Sequence, residues 1–311
     1  MGELKHYPVM LEECMEGLRL KEGGIYFDGT LGGAGHSYEI LRRAPGSRLY
    51  ATDLDEYGIA RAEEKLKEFS GRYTIYHDNF KNFPAIAERE GIKLDGVLLD
   101  LGLSSFQIDD KSRGFSYLST DDALDMRMDK RSSFSARDVV NGYKESELKE
   151  ILKTYGEERF AAAIAKNIVA ARKKKPIETC GELAEIAERS MPARVRYESG
   201  HPAKRTFQAI RIEVNGELRG LYEAVIALTK LLKKGGRIAV ITFHSLEDRA
   251  VKTAFKELET DCICDKSLPV CVCGRKKEIR LITKHPLTAG EKELCENSRS
   301  KSAKLRIAEK I

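Results

Sequence analysis

The sequence lacks the features that would place it in a membrane, in a fibre or outside the cell. No apolar run approaches the roughly 20 residues that span a bilayer, and no Gly/Ser-rich or Pro-rich tract indicates a disordered or fibrous chain. The segment from Met1 to Leu20 carries acidic residues and no apolar signal-peptide core. We therefore expect a globular cytoplasmic protein, and 311 residues suffice for about two domains.

A strong excess of charge is also missing. The chain has 54 basic and 49 acidic residues, a net charge of +5, and this total does not by itself indicate a polyanionic partner. The distribution is more uneven, with basic residues gathered at Lys166, Arg172, Lys173, Lys174, Lys175, Arg194, Arg196, Lys204 and Arg205. Such a cluster is either a solvated surface or a phosphate-binding surface, and charge alone leaves both readings open.

Cysteine is scarce outside one cluster. Because no secretory signal accompanies the seven cysteines, we expect reduced thiols rather than a disulfide framework. Four lie close together in the sequence, at Cys262, Cys264, Cys271 and Cys273. Four thiolates satisfy tetrahedral zinc, although C-x-C is tighter than the usual C-x-x-C spacing, so a structural zinc site and unligated thiols both remain open. The others, Cys14, Cys180 and Cys295, are expected to be ordinary buried thiols.

Short apolar runs alternate with helical segments in the first third of the chain. Strands are predicted at Ile25–Asp28, Arg48–Asp53, Tyr73–Tyr76 and Asp95–Asp100. Helices are predicted between them, near His36–Arg43, Glu56–Phe69 and Pro84–Glu90. This βαβ alternation predicts an α/β fold with a doubly wound parallel sheet.

The strands stop between about residues 111 and 205, where the pattern becomes helical. Phe160, Ile164 and Ile168 form one apolar stripe, and Thr179 with Glu182 forms a capping box. We therefore predict an all-helical domain at 111–205, inserted between sheet segments at 1–110 and 206–311.

Sheet-like patterns return after the insert. A long amphipathic helix from Leu218 to Leu232 is expected to stop at Gly235 and Gly236. Strands are predicted at Arg237–Phe243, Glu278–Thr283 and Ala303–Ala308, with a helix at Ser245–Leu258. The sheet is thus expected to have seven strands.

The glycine-rich turn from Asp28 to His36 follows the first predicted strand. Its glycines let backbone approach a ligand at the carboxyl edge of the sheet, and Asp53 ends the second strand, where it can accept hydrogen bonds from ribose hydroxyls. This pair of features indicates an adenosine-containing cofactor. Because the turn is not a clean G-x-G-x-x-G and Asp28 suits a cationic ligand, S-adenosylmethionine is favoured over a dinucleotide.

Two further strand ends carry candidate ligand residues. Phe80 follows the third strand, and its ring either stacks on adenine or belongs to the core. Asp100 ends the fourth strand, where a carboxylate faces the cleft of such folds.

Several blocks carry a specific resemblance to the MraW family, bacterial cytosine-N4 methyltransferases of small-subunit ribosomal RNA. They occur in order from about His6 to the C-terminus, at 28–37, 100–105, 113–116, 124–128, 206–211, 243–249 and 305–309. The resemblance implies a class I, Rossmann-like methyltransferase fold with a helical insert, acting on a cytosine of the 16S ribosomal RNA decoding centre.

The resemblance also assigns cofactor contacts by position, to Ala34, Gly35, His36, Asp53, Phe80, Asp100 and Gln107. Ala34 stands where many relatives have glycine, so its contact depends on the backbone. The insert, with its basic clusters and with Tyr197 and His201, is implied to hold the RNA.

The catalytic residues are harder to assign. Cytosine N4 is a poor nucleophile, so the enzyme must position the amine and supply hydrogen-bond acceptors. The Asp/Asn/Ser-Pro-Pro-aromatic motif of many amino-methyltransferases is missing, and Asp100, Ser104 and Ser105 occupy the corresponding segment. We predict that these residues supply the acceptor, with Asp100 alternatively orienting the methionine amino group. His244 either touches the base or caps a helix.

Other functions remain open at the level of sequence. The acceptor could be another RNA position, a protein or a small molecule, or the chain could be a non-catalytic ribosome-assembly factor. A nucleotide-dependent oxidoreductase is a remote third possibility. Methyl transfer requires no metal, so a zinc ion at the cysteine cluster would be structural.

Overall fold

A computed structural model describes residues 7–197, 200–265 and 270–311, without the side chains of Ser105, Val195 and Ser298. The chain forms two compact units. We call the chain up to Gly102 together with Leu218–Ile311 the sheet unit, and Leu103–Glu217 the helical unit.

Seven strands form one sheet within the described residues of the sheet unit. They are β1 (Ile25–Asp28), β2 (Arg48–Asp53), β3 (Tyr73–His77), β4 (Leu94–Asp100), β5 (Leu232–Thr242), β6 (Ile279–Leu281) and β7 (Lys304–Lys310). Their order is β3-β2-β1-β4-β5-β7-β6. The first five are parallel, whereas β7 runs antiparallel to both of its neighbours. The predicted α/β fold and seven strands are confirmed.

Thirteen α-helices lie in the described part of the chain. They are α1 (Leu11–Leu18), α2 (Gly35–Arg43), α3 (Glu56–Leu66), α4 (Phe83–Glu90), α5 (Ser105–Asp109), α6 (Ala136–Gly142), α7 (Glu145–Thr154), α8 (Ala161–Arg172), α9 (Cys180–Arg189), α10 (Lys204–Asn215), α11 (Leu221–Leu231), α12 (Ser245–Glu259) and α13 (Glu291–Glu296). None of the helices in these described ranges is long and apolar enough to cross a bilayer.

Both faces of the sheet are covered by apolar side chains. Leu98 of β4 belongs to one buried cluster, while its neighbours Val97 and Leu99 belong to the cluster on the other face. On that second face the rings of Phe27 and Phe83 stack with centroids 3.8 Å apart. Burial on both faces explains why the central strands read as continuous apolar runs rather than as alternating patterns.

The helical unit has its own core. Ile164 and Ile168 of α8 are fully buried in it, and α9 begins with the predicted capping box, in which Thr179 Oγ1 accepts from the Glu182 amide at 3.2 Å. The predicted insert was 111–205, whereas the compact unit extends to Glu217. The difference arises because α10 packs against α7 and adds Phe207 to the same core.

Two smaller expectations are wrong. Gly235 and Gly236 do not stop a helix, because α11 already ends at Leu231 and both glycines lie inside β5. Gly235 has φ +78°, and the pairing of β5 with β4 shifts register in this part of the strand. Cys295 is exposed, because none of the residues of α13 is buried. Cys14 and Cys180 are buried as predicted.

Candidate cofactor site at the carboxyl edge of the sheet

Adjacent strands end together at one edge of the sheet unit. Asp28, at the end of β1, pairs with Ala51 of β2 on one side and with Leu98 of β4 on the other. Two residues beyond these partners stand Asp53 and Asp100, the last residues of β2 and β4. The chain passes outward from β1 to β2 and β3 and then returns to β4, which makes this edge a topological switch point, the usual ligand site of doubly wound sheets.

The glycine-rich turn is packed too tightly for other residues at its start. A Cβ on Gly29 would lie 2.4 Å from Leu99 Cδ2 and 2.9 Å from Phe80 Cβ. Farther along the turn, the Gly32 amide donates to Asp53 Oδ2 at 2.6 Å, with Gly32 at φ +50°. The turn is therefore joined to both of the strand ends that flank it, and Phe80 lies directly against it.

Ala34 is the one residue of this turn that has a side chain and also a left-handed backbone conformation. It is the N-cap of α2, is fully buried, and has φ +56°, in the left-handed region that non-glycine residues rarely adopt. Gly35 comes next, and a Cβ there would lie 2.4 Å from Pro8 Cγ. The Ala34 amide donates to the Leu31 carbonyl at 2.8 Å, a hydrogen bond that closes the turn in this conformation.

Asp28 holds the turn rather than pointing freely at a ligand. Its carboxylate accepts from Ser37 Oγ at 2.6 Å and from the Thr30 amide at 3.1 Å. Burial raises the pKa of this carboxyl to about 6, against the lowering effect of the hydrogen bonds from Ser37 and Thr30. Both oxygens already have partners, which weakens the sequence argument that Asp28 itself meets a cationic ligand.

Asp100 has the unsatisfied carboxylate of this edge. Its amide donates to Thr30 Oγ1 at 2.6 Å, which ties β4 to the glycine-rich turn. Oδ1 is buried and has no hydrogen-bond partner, while the side chain as a whole keeps 25% exposure. Burial, followed by the nearby charges of Asp28 and Glu247, raises the pKa of Asp100 well above its usual value. A buried oxygen normally accepts a hydrogen bond, and Asp100 Oδ1 lacks a donor among the described residues.

His36 does not supply that donor. Its Nε2 lies 3.0 Å from the carbonyl oxygen of Val9, and because a carbonyl can only accept, Nε2 carries the proton. Burial lowers the pKa of the imidazole to about 4, so the ring is neutral and Nδ1 carries only a lone pair. Nδ1 lies 3.9 Å from Asp100 Oδ2. Two acceptors therefore face each other beside the glycine-rich turn.

Asp53 and Phe80 occupy the outer part of the edge. Asp53 accepts from the Gly32 and Asp55 amides, the latter at 2.8 Å, so its carboxylate is fixed in orientation. The Phe80 ring is half-buried and packs against the apolar cluster that contains Phe83. Phe80 is therefore partly a core residue, as one of its two sequence readings proposed, and keeps an accessible portion.

Ser104, Ser105 and Gln107 belong to the helical unit. Ser104 is the N-cap of α5 and accepts from the Gln107 amide at 3.3 Å, while the Ser104 amide donates to Gln107 Oε1 at 3.1 Å. Gln107 is buried. The Ser105 side chain lies outside the described residues. The polar atoms of Ser104 and Gln107 thus have a local role as a capping box.

His244 caps α12, as one of its sequence readings proposed. Its Nδ1 accepts from the Glu247 amide at 3.4 Å, and its Nε2 lies 3.1 Å from Glu247 Oε1. Glu247 is almost fully buried and accepts from the Phe243 amide at 2.8 Å. Sequence reasoning missed Glu247 and Thr30. The capping-box spacing from His244 to Glu247 was the available signal for the first, and Thr30 had none.

The family model and the relatives that match this chain all describe methyltransferases. A sequence model of the MraW methylase family matches residues 3–311. A protein of Lachnospira eligens named ribosomal RNA small subunit methyltransferase H is 53% identical over 99% of this chain and 98% of its own length. One of Clostridioides difficile with the same name is 50% identical over 99% of this chain and 100% of its own.

Proposed function

This chain belongs to the MraW methylase family, and on that premise we propose that it transfers a methyl group from S-adenosylmethionine to N4 of a cytosine in the decoding centre of 16S ribosomal RNA. Relatives at 50–53% identity over nearly the whole chain are named small-subunit ribosomal RNA methyltransferases. The small ribosomal subunit is then the partner, and the cytoplasm the place of action.

The observation that carries the cofactor assignment is the unsatisfied hydrogen-bond acceptor at Asp100. Asp100 Oδ1 is buried without a partner, and the neutral His36 presents a lone pair 3.9 Å from Oδ2. A ligand ammonium group supplies up to three N–H donors and a positive charge, which satisfies both acceptors. The amino group of the methionine part of S-adenosylmethionine has this chemistry, whereas a pyrophosphate would add charge of the wrong sign.

The remaining contacts are assigned to the same edge of the sheet. Asp53 is held by backbone amides, yet each carboxylate oxygen has a second lone pair with which to accept from a ribose hydroxyl. The accessible part of the Phe80 ring offers a stacking surface for adenine. Ala34, Gly35 and His36 would border the ligand at the start of α2, and Gln107 is proposed as a contact on the ground of the resemblance alone.

S-adenosylmethionine supplies an electrophilic methyl group on a sulfonium, so the chain's own residues need only bind, orient and accept hydrogen bonds. We assign Asp100 as the principal acceptor at this edge, either for the cytosine amine or for the methionine ammonium. Ser104 is a weaker candidate, because its hydroxyl already accepts from the Gln107 amide. Ser105 keeps its proposed role on sequence grounds alone.

The basic surface of the helical unit is the proposed RNA contact. Lys173, Lys174 and Lys204 are exposed, as a phosphate-binding surface requires. Arg172 is different, since its guanidinium donates to the Val140 and Tyr143 carbonyls at 2.7 and 2.6 Å. His201, which the resemblance also implies in RNA binding, stacks on Tyr117 with ring centroids 4.6 Å apart.

Transfer of labelled methyl groups tests this proposal. Small subunits from a strain that lacks this enzyme should accept label, whereas large subunits and small subunits from the parent strain should not. Label on large subunits or on protein would indicate another acceptor. Binding to small subunits without any transfer, despite binding of S-adenosylmethionine, would support the assembly-factor alternative and overturn the enzymatic proposal.

A further inference from the structure

The cysteine cluster lies between α12 and β6, in a segment whose described residues form no regular secondary structure. Between α12, which ends at Glu259, and β6, which begins at Ile279, residues 260–265 and 270–278 contain neither helix nor strand. Both ends of the loop are fixed to α12. Arg275 Nε donates to the Thr260 carbonyl at 3.1 Å, and the Glu278 amide donates to the Leu258 carbonyl at 2.7 Å. The loop therefore leaves α12 and returns to it.

Apolar packing does not hold the described residues around these cysteines. Among them, the aliphatic side chains of Ile263, Val270 and Val272 are 65%, 70% and 76% exposed. Segments with too little apolar surface to bury are commonly stabilised by a cross-link or a metal ion. A bound metal ion would therefore stabilise the described part of this loop.

The four sulfur atoms are arranged as ligands of one ion. The sulfur of Cys271 lies 3.6, 3.9 and 3.5 Å from those of Cys262, Cys264 and Cys273, and all four lie within 4.8 Å of one another. Tetrahedral zinc with Zn–S bonds of about 2.3 Å places its sulfurs about 3.8 Å apart. A disulfide needs about 2.05 Å. The observed spacings match the edges of a zinc tetrahedron.

The C-x-C spacing, which is tighter than that of common zinc hairpins, has a simple explanation here. The two sulfurs of each C-x-C pair lie in the cluster, whereas the aliphatic residue between them is exposed. Ile263 and Val272 are these two exposed residues, so the short spacing lets both cysteines of a pair reach one ion while the residue between them faces solvent. Gly274, at φ +62°, lets the chain turn directly after the second pair.

Backbone amides point at the sulfurs as well. The Cys264 amide lies 3.4 Å from Cys262 Sγ, and the Val272 and Cys273 amides each lie 3.3 Å from Cys264 Sγ. Amide donors stabilise a thiolate, which is the form that binds a metal, and they are a usual outer shell of thiolate sites.

We propose that Cys262, Cys264, Cys271 and Cys273 bind one structural zinc ion that closes the loop between α12 and β6. Zinc suits four thiolates in a closed tetrahedral site, because it needs no open coordination position and undergoes no redox change. The site is separate from the residues proposed for methyl transfer, so its test is independent of that proposal.

Metal analysis of the full-length protein, purified without chelators, tests the site. We expect about one zinc per chain in the wild type and in the control Cys295→Ser, whose thiol is exposed but outside the cluster. Cys271→Ser should lose most of the zinc. Iron in place of zinc, or equal zinc in both variants, would overturn the proposal.

Cobalt titration of the metal-stripped wild-type chain covers the case in which Cys271→Ser fails to fold. Four thiolates should give strong thiolate-to-cobalt charge-transfer bands that saturate at one equivalent and are displaced by zinc. Absence of these bands, with all seven thiols reacting freely or with pairs of cluster cysteines joined as disulfides, would contradict the assignment.

Discussion

The Nδ1 atom of His36 lies 3.9 Å from Oδ2 of Asp100 in the sheet unit. The His36 proton is held on Nε2 by the Val9 carbonyl, so Nδ1 faces the carboxylate as an acceptor. Burial and neighbouring carboxylates raise the pKa of Asp100 well above its usual value. A cationic ligand that binds here must therefore displace any proton that Asp100 holds.

This relationship predicts that the binding of S-adenosylmethionine depends on pH. Below the raised pKa of Asp100, binding of the cation should release a proton, and affinity should rise with pH by up to about tenfold per unit. Calorimetry in buffers of different ionisation enthalpy measures the proton count. Binding of S-adenosylmethionine without proton release at any pH between 5 and 8 would show that Asp100 is already ionised or is not involved.

Asp100→Asn should weaken binding of S-adenosylmethionine by roughly 10- to 100-fold, because a charge-assisted hydrogen bond is worth about 1.5–3 kcal/mol. Asp95→Asn is the matched control, since Asp95 lies at the opposite end of β4 and its carboxylate pairs with Lys233 at 2.7 Å. The control should keep the wild-type dissociation constant. Equal losses in both variants would indicate a general effect on the sheet rather than a cofactor contact.

Gly29→Ala should destabilise the sheet unit and disturb Phe80. The added methyl group would lie 2.4 Å from Leu99 Cδ2 and 2.9 Å from Phe80 Cβ, and overpacking of this kind costs about 1–3 kcal/mol of unfolding free energy. Gly142→Ala, at the end of α6, meets no atom within 4 Å and should be neutral or slightly stabilising. Urea denaturation measures both variants, and an unchanged stability for Gly29→Ala would refute the packing argument.

His36 should make stability fall in acid. Its folded-state pKa is lowered from 6.5 to about 4, so the unfolded chain binds more protons between these values and unfolding becomes easier as pH falls. As pH falls over that range, the unfolding free energy of the wild type should decrease by about 3 kcal/mol relative to that of His36→Gln. Gln preserves a donor for the Val9 carbonyl. Parallel pH curves for the two proteins would mean that His36 titrates normally.

Lys204→Glu should reduce RNA affinity. The slope of log affinity against log salt should become shallower by about one, as expected for the loss of one phosphate contact. Lys93→Glu, an equal charge change next to the amino end of β4, is the control. Arg205 is less suitable, because its guanidinium donates to the Glu157 carbonyl at 3.0 Å. Cofactor affinity should remain unchanged in Lys204→Glu, and identical salt slopes for Lys204→Glu and Lys93→Glu would remove the RNA role of this residue.

The sheet was largely predictable from the sequence because its strands are buried on both faces. The bounds of β1 and β2 agree residue by residue with the predicted apolar runs. The path near Gly235 was not predictable, because pairing with β4 extends β5 through the two glycines that local propensity assigned to a helix stop.

The candidate site was predictable in position but not in detail. Strand ends bring Asp28, Asp53 and Asp100 to one edge, and this follows from topology alone. Which carboxylate keeps a free oxygen depends on contacts that a linear sequence does not specify, such as the bond from Ser37 to Asp28. The capping role of Ser104 likewise became visible only with its partner Gln107 in place, whereas helix capping was one of the two sequence readings of His244.

Nucleoside mass spectrometry of ribosomal RNA tests the central claim most directly. Small subunits that lack the modification would be incubated with S-adenosylmethionine and the wild-type chain, Asp100→Asn or Asp95→Asn. We predict N4-methylcytidine at one decoding-centre position with the wild type and Asp95→Asn, and little or none with Asp100→Asn. Methylation of another base or atom, or wild-type yield from Asp100→Asn under single-turnover conditions, would contradict the account.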